Sequence, residues 1–502
     1  MASAQTTPLS EDKAMIGPAT PGTAEAAGWK PSDIAADIAT LGTGTLLAGV
    51  FNVALVFVVP KLISIEDYGY WRMFALYAAY VGFVHLGFAD GALLRWAGRP
   101  LQEFHHEIGP AIKYLLWQHL VLVIPLCVVA VIALRGPLRF VAIAVAIFAP
   151  LYNLTATLQF GLQSARVFRP VALSTVTAPA IFFIAVLLWA SRWHSQFREI
   201  IILFVSAWAV PLVFLLVWTK PWSREQSTGS VKGLAGSCLL SGWPILMANT
   251  GVSLIQNADR MAASWAVNIQ SFAQYSLAAS AMAVPITAIQ AISKVVFSHI
   301  AGVTNCSRKR IYGIALWALL FAWAVLLPYY FALASFIRHY LPRYLPSVEY
   351  SRILLLAIPF MAVIQILQMN YAYLNGVQKG FLARTLAVLT VSLGATTFAA
   401  FHTGSLRIVA VAQVGILGAW WLFNEWTLQE WTGQNTGEWA KFAAVYLLTG
   451  GTYWLASGAG VHVATAVALY YVVVGAILGL SCRDKLNLLL CELKGPSALA
   501  EG

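Results

Sequence analysis

Fourteen long apolar runs divide this chain, and they leave few folds open to it. They fall at 41–60, 71–89, 114–134, 138–159, 171–190, 200–218, 236–257, 272–297, 312–333, 353–373, 382–401, 408–428, 440–457 and 461–481. About 20 apolar residues in helical form cross the hydrocarbon of a bilayer. Inside that layer every backbone polar group must bond within the protein, which restricts spans to helices and closed barrels. The runs are continuous rather than alternating, so a barrel is excluded. The expected fold class is all-α: a polytopic membrane protein of about 14 transmembrane helices. A charged content of 10% against an apolar content of 60% agrees with that class and departs from the balance of soluble domains.

The chain also resembles itself. Residues 64–79 align with residues 268–283 at a constant offset of 204, so that Ile65 meets Ile269, Tyr68 meets Phe272, Gly69 meets Ala273 and Trp71 meets Tyr275. A second match pairs Gly161-x-Gln163 and Arg169 with Gly376-x-Gln378 and Arg384 at an offset of 215. It places about eleven extra residues in the second half, with the loop from Arg338 to Arg352 as their expected position. Two six-helix units in parallel repeat point to a transporter whose lobes rock around a central site. The expected division is a polar tail at 1–37, an N-lobe at 38–220, a C-lobe at 221–430, and an accessory helix pair with a tail at 431–502.

Orientation follows from Lys and Arg. With the N-terminus inside, 20 of the 31 fall on the cytoplasmic side and 11 outside, which favours both termini in the cytoplasm. The net charge of +11 is then a topology signal, not one for nucleic acid, and Arg308-Lys309-Arg310 faces anionic membrane lipids. Residues 1–37 hold no apolar run and read as a disordered tail leading into an interfacial helix. The five cysteines, at 127, 238, 306, 482 and 491, show neither a disulfide framework nor metal-ligand spacing. No metal or cofactor is expected.

The stretch from Glu66 to Arg95 carries a family resemblance. Asp67-Tyr68-Gly69-Tyr70-Trp71 enters the second span, and Gly87-Phe88-Ala89-Asp90-Gly91 followed by Arg95 leaves it. With Asn257-Ala258-Asp259-Arg260 and Tyr344-Leu345-Pro346-Ser347, this pattern resembles the polysaccharide transporter, or Wzx-type O-antigen flippase, branch of the multidrug/oligosaccharidyl-lipid/polysaccharide exporter superfamily. The similarity covers about residues 38–430. It implies a bacterial cytoplasmic-membrane flippase for an undecaprenyl-diphosphate-linked oligosaccharide in cell-surface polysaccharide biosynthesis. Its partners would be that lipid, the surrounding lipids, and a polysaccharide polymerase or ligase in the same membrane. A diphosphate bearing sugars cannot cross hydrocarbon unaided, because buried unpaired charge is very costly.

Ionisable and amide residues inside spans are the candidates for such a site. Arg72, Arg95, Arg260 and Lys294 are candidate phosphate contacts. Against this, a basic residue at a span end also serves as an orientation signal, and Lys294 is placed to snorkel. Asn52, Asn153, Gln256, Asn257 and Gln368 would suit a glycan path, although helix-to-helix hydrogen bonding explains such amides equally well. Asp90 stands at the position equivalent to Lys294 and would form a gate with it, or end span 2 in a turn. Asp259 is a gate or ion-coupling candidate. His85 and His119 read as satisfied core histidines, and Glu425 as a headgroup-level residue within an aromatic belt.

Two rivals remain at this stage. A MATE-like drug or cation antiporter would want a carboxylate in its first lobe, whereas span 1 offers Asn52. A membrane glycosyltransferase or ligase could use Glu66-Asp67, yet Gln270-Ser271 replaces that pair in the second repeat and Asp67 is placed to cap span 2. No loop between spans has room for a folded domain. The sequence therefore points to a transporter rather than an enzyme.

Overall fold

The computed structural model describes residues 31–190, 196–221, 231–282, 285, 305–460, 462–481 and 483–485. Its helices are α1 (Pro31–Leu62), α2 (Ile65–Ala78), α3 (Phe88–Trp96), α4 (Leu101–Ala133), α5 (Gly136–Ser164), α6 (Phe168–Ala190) and α7 (Phe197–Thr219) in the first half. There follow α8 (Val231–Gln256), α9 (Ala258–Ala266), α10 (Ile269–Ala281), α11 (Asn305–Leu326), α12 (Tyr329–Tyr340) and α13 (Pro346–Leu354). Then come α14 (Ile358–Ala362), α15 (Met369–Leu374), α16 (Gln378–Thr403), α17 (Leu406–Thr432), α18 (Thr436–Gly458) and α19 (Val463–Ser481).

Among the described residues, 11 segments are long and apolar enough to cross a membrane, or 12 if the bent pair α2–α3 is one span. The expected count of fourteen is thus not reached. The run 272–297 passes into residues outside the described set, and α18, with Glu438 and Lys441 in its first turns, is less apolar. Of the polar tail expected at 1–37, residues 1–30 lie outside the described residues, as do the C-terminal residues 486–502, whereas residues 31–37 open α1.

The repeat is visible in local geometry. Ser64 caps α2 with φ −64° and ψ 160°, its side chain accepting from the Asp67 N–H. Asn268 caps α10 with φ −64° and ψ 158°, accepting from the Ser271 N–H. Each cap satisfies one of the donors a helix start leaves open. Asp67 is therefore not the cap of α2, as its position in the sequence suggested. Its Oδ1 instead accepts from the Phe197 N–H at 3.1 Å, closing the start of α7.

The second sequence match is out of register. Gly161 sits inside α5, whereas Gly376 occupies the turn after α15 at φ +72°. The residue equivalent to Gly376 is Arg166, at φ +59°. Both turns close with the same C-capping bond, Val167 N–H to Leu162 O and Val377 N–H to Ala372 O. That is the Schellman pattern, which needs a left-handed residue at this point. The offset there is 210, so the second half has gained six residues and not eleven.

In the first half α1 packs on α6, α4 on α5, and α5 and α6 on α7. In the second α16 packs on α8, α9 and α17, and α13 on α17. The halves meet through α2 on α10 and α3 on α8. Among the described residues the segment from Pro346 to Leu374 is the most enclosed crossing, with 83% of an 18-residue apolar stretch of it buried, and its helix is broken by 3₁₀ and π turns. Pro359 has no N–H to give the Leu355 carbonyl, and Trp323 Nε1 donates to that oxygen at 3.0 Å. Tyr446 and Tyr453 of α18 donate to Leu356 O at 3.0 Å and Arg352 O at 3.1 Å. The accessory helix thus satisfies backbone that the break leaves open. Tyr446→Phe is expected to destabilise the protein by about 1–2 kcal/mol, since the carbonyl loses its donor. Thermal unfolding in detergent checks this.

Candidate transport cavity

A cavity of about 480 Å³ lies between the two halves. Its lining repeats the internal symmetry: Asn52 with Gln256, Leu55 with Asp259, Val56 with Arg260, Ala75 with Ala279, and Ala78 with Met282 all border it, each pair 204 apart. The cavity therefore sits where the two copies face each other, the position expected for a site in a repeated membrane protein. Span 7 is interrupted here, at Asn257 between α8 and α9.

The walls differ in chemistry. The first half presents Trp71, Phe148, Tyr152, Phe182, Phe204 and Trp208. These rings pack against one another, with Trp71 to Phe182 at 5.3 Å and Phe148 to Trp208 at 5.4 Å between centroids. Arg72 emerges from this aromatic surface. The second half presents Ser253, Gln256, Asn257, Asp259, Arg260 and Gln413. Asp259 Oδ2 accepts from the Tyr275 hydroxyl at 2.6 Å, so one acid, already bonded to a phenol, faces two guanidinium groups. Arg72 Nε, Gln256 Nε2, Asn257 Oδ1, Asp259 Oδ1 and Gln413 Oε1 are buried without a hydrogen-bond partner among the described residues. Buried polar atoms are normally bonded, and five such atoms around one space give it donors and acceptors for a polar guest.

Close helix contacts lie on either side of the cavity. At one end a Cβ on Gly69 would stand 2.6 Å from Ile269 O. At the opposite end a Cβ on Gly91 would stand 1.8 Å from Cys238 O, and one on Gly242 1.9 Å from Gly87 O. This is a small-residue crossing of α3 on α8, of the kind that lets backbones touch. The chain bends by 57° between Ile65–His85 and Phe88–Trp96 to make it, with Gly87 at φ +88°, a conformation that favours glycine.

Over 89% of this chain and 99% of the other, the structure superposes on the lipid II flippase MurJ in an inward closed conformation, with a TM-score of 0.69 and 13% identity. The two share one fold. An inward-facing multidrug resistance MATE family transporter of the MOP superfamily matches over 79% of this chain and 96% of its own, with a TM-score of 0.53 and 12% identity. No protein-family model and no curated protein matches the chain.

Six of the residues singled out from the sequence border the cavity: Asn52, Arg72, Gln256, Asn257, Asp259 and Arg260. Four do not. Arg95 makes a two-point pair with Glu107, at 2.8 and 3.0 Å, and reaches Ser237 of α8 at 3.4 Å, so it ties the crossing rather than facing the cavity. Asp90 is buried in the first turn of α3, 3.8 Å from His85 Nε2; Lys294, its expected partner, lies outside the described residues. Asn153 Nδ2 is held by Val81 O at 2.9 Å and His119 Nε2 at 2.8 Å, a helix-to-helix bond. Gln368 bonds Trp421 O, Glu425 and Asn424, each at 3.0 Å. Glu425 itself is fully buried and not exposed to headgroups as its place in the aromatic belt suggested. The aromatic wall escaped the sequence reading, because ring residues in apolar spans look like any core.

Proposed function

We propose that the protein is a flippase that moves a polyprenyl-diphosphate-linked oligosaccharide across the bacterial cytoplasmic membrane by alternating access, in the manner of the Wzx-type branch. The observation that carries this reading is the cavity's charge: Arg72 and Arg260 against the single, phenol-bonded Asp259. Guanidinium groups bind phosphate oxygens through paired N–H bonds, and an organic cation would meet two like charges. The amides and aromatic rings offer hydrogen bonds and flat apolar faces to sugars. The fold shared with a flippase that acts on lipid II supports a lipid-linked substrate. The same fold in a multidrug transporter keeps the antiporter as the second reading, favoured by the aromatic wall beside Asp259. Nothing in this cavity requires bond-making chemistry, so the work proposed for it is transport rather than catalysis.

Removal of either arginine by Arg72→Ala or Arg260→Ala is expected to cost about 1.5–3 kcal/mol, the value of a charge-assisted hydrogen bond, or roughly tenfold to a hundredfold in affinity. The assay is transfer of a fluorescent polyprenyl-diphosphate glycan between leaflets of proteoliposomes. Wild-type transfer by a folded double variant would overturn the proposal. Energised efflux of an organic cation, with no lipid transfer, would establish the antiporter.

A further inference from the structure

We propose that a polar pocket at one end of the C-lobe binds the carboxylate of an acidic sugar, so that the transported glycan is one that carries uronic-acid units; this rests on the flippase reading above. The pocket has a volume of about 410 Å³ and lies where α10 and α17 begin, bordered by Asn268, Ser271, Tyr350, Ser405, Leu406 and Arg407. With both termini in the cytoplasm, as the Lys and Arg count favours, it opens to the outer medium.

The first half shows a carboxylate at the equivalent place. There α2 packs directly on α7, and Asp67 joins their starts: Oδ2 accepts from the Ser64 hydroxyl at 2.6 Å and Oδ1 from the Phe197 N–H at 3.1 Å. Glu199 adds a second carboxylate, accepting from the Gln196 N–H at 2.9 Å. In the second half α10 is the copy of α2, and α17 opens with Leu406-Arg407 as α7 opens with Phe197-Arg198. In that alignment Asp67 becomes Ser271 and Glu199 becomes Ile408. Both carboxylates are missing from the second copy. Ser405, which stands where Gln196 stands, makes no capping bond through its side chain. The pocket occupies the place where Asp67 would lie.

What borders the space is positive. The first N–H groups of a helix have no acceptor within it, and two helix starts bring the positive ends of their dipoles to one pocket. Arg407 adds a guanidinium. Glu349 of α13 bonds its Nη2, and the planar fork keeps further N–H groups for a second carboxylate. An anion from outside the chain completes this site as Asp67 completes the first. The rest of the lining suits a sugar: Tyr350 offers a ring face, Asn268 an amide, and Ser271 and Ser405 hydroxyls, groups that bond a ring of hydroxyls. Tyr350 also connects the pocket to the transport cavity. Its ring lies 5.4 Å from that of Tyr275, whose hydroxyl bonds Asp259. A glycan that leaves the cavity at this end meets the pocket next.

The test measures binding of trigalacturonate, an acidic trisaccharide, to the full chain in phosphatidylcholine nanodiscs by saturation-transfer NMR, with maltotriose as the neutral counterpart. Trigalacturonate is expected to bind about tenfold more tightly, the value of one charge-assisted bond. Ser271→Asp returns a carboxylate to this place and suits the first turn of a helix; it should weaken trigalacturonate about tenfold, as should Arg407→Gln. Arg198→Gln, the counterpart in the first half, should leave binding unchanged. Equal binding of the two trisaccharides overturns the proposal, as does trigalacturonate binding that Ser271→Asp leaves intact. Competition by pentaglutamate as effective as that by trigalacturonate would assign the pocket to an acidic peptide and overturn the sugar. Transfer of a polyprenyl-diphosphate glycan in proteoliposomes separates the two claims. If lipid is transferred and trigalacturonate does not bind, only the pocket fails. If trigalacturonate binds in a Ser271→Asp-sensitive way and no lipid is transferred, the flippase reading fails, and with it the link to a transported glycan, while the carboxylate site stands.

Discussion

In a variant whose only cysteine is Cys238, Gly91→Ala is expected to convert that thiol from unreactive to almost fully labelled by a maleimide in inside-out vesicles. Cys238 is completely buried, and it lies under the crossing of α3 on α8. A methyl group at Gly91 would stand 1.8 Å from Cys238 O and 2.5 Å from its carbonyl carbon. The obstruction is backbone on backbone, so no side chain can turn aside to admit it. Gly242 against Gly87 O at 1.9 Å makes the same contact from the other helix. Overpacking within a single core costs about 1–3 kcal/mol or more and strains the fold. Here the clash lies between the two halves, and separation of the halves relieves it. In a protein that alternates between closed and open forms, a penalty of that size raises the ratio of the form open at this end about fivefold to 150-fold, and irreversible labelling then drains the closed form through it. Arg95 should lose Ser237 in the process. Gly236→Ala is the matched control, because nothing lies within 4 Å of a Cβ there. Unchanged labelling in a folded Gly91→Ala protein would show that this crossing does not separate.

The spans were legible because hydrocarbon enforces a period and a length. The cap pair Ser64 and Asn268 was legible as an alignment, since identical local geometry demands equivalent residues at the same spacing. Arg72, Arg260 and Asp259 stood out because ionisable groups are expensive in spans. Arg95 stood out for the same reason and went elsewhere. Its partner Glu107 lies across the α3–α4 turn and is also 3.6 Å from Arg99, and which cations a buried acid gathers is decided by packing that one-dimensional spacing does not encode. Gly161 and Gly376 misled more simply: one packs within a helix near Trp96 and the other permits a turn. Glycine serves both needs, so its recurrence in sequence carried no register. The burial of Glu425 among Trp420, Trp421 and Trp439 has the same residue signature as an interfacial belt.

That burial leads to the other large effect. Glu425→Ala is expected to destabilise the protein by about 2–6 kcal/mol, one to three for each of two buried donors left without an acceptor, whereas Glu425→Gln should stay within about 1 kcal/mol of wild type. Glu425 Oε1 accepts from the Tyr312 hydroxyl and from Gln368 Nε2 at 3.0 Å. Gln368 in turn accepts from Asn424 Nδ2 at 3.0 Å, and Asn424 Oδ1 is 3.4 Å from Arg384 Nε. The cluster joins α11, α16 and α17 to the π turn at Val363–Gln368, a distortion that places Gln368 at its centre. Alanine leaves the Tyr312 hydroxyl and one of the two Gln368 amide N–H groups unbonded in a site that water does not reach, while the other keeps Trp421 O at 3.0 Å, and each orphan costs free energy in its own right. Glutamine keeps a carbonyl oxygen where Oε1 stands, so both donors retain their acceptor. Thermal unfolding of the two variants in the same detergent, read by loss of the monodisperse peak, separates them. Equal losses for Ala and Gln would mean that the negative charge, and not hydrogen-bond satisfaction, holds these helices together. Equal tolerance would mean that the π turn stands without the network. The predicted order, Gln near wild type and Ala far below it, follows only if Glu425 acts as the acceptor that closes the second half around its broken span.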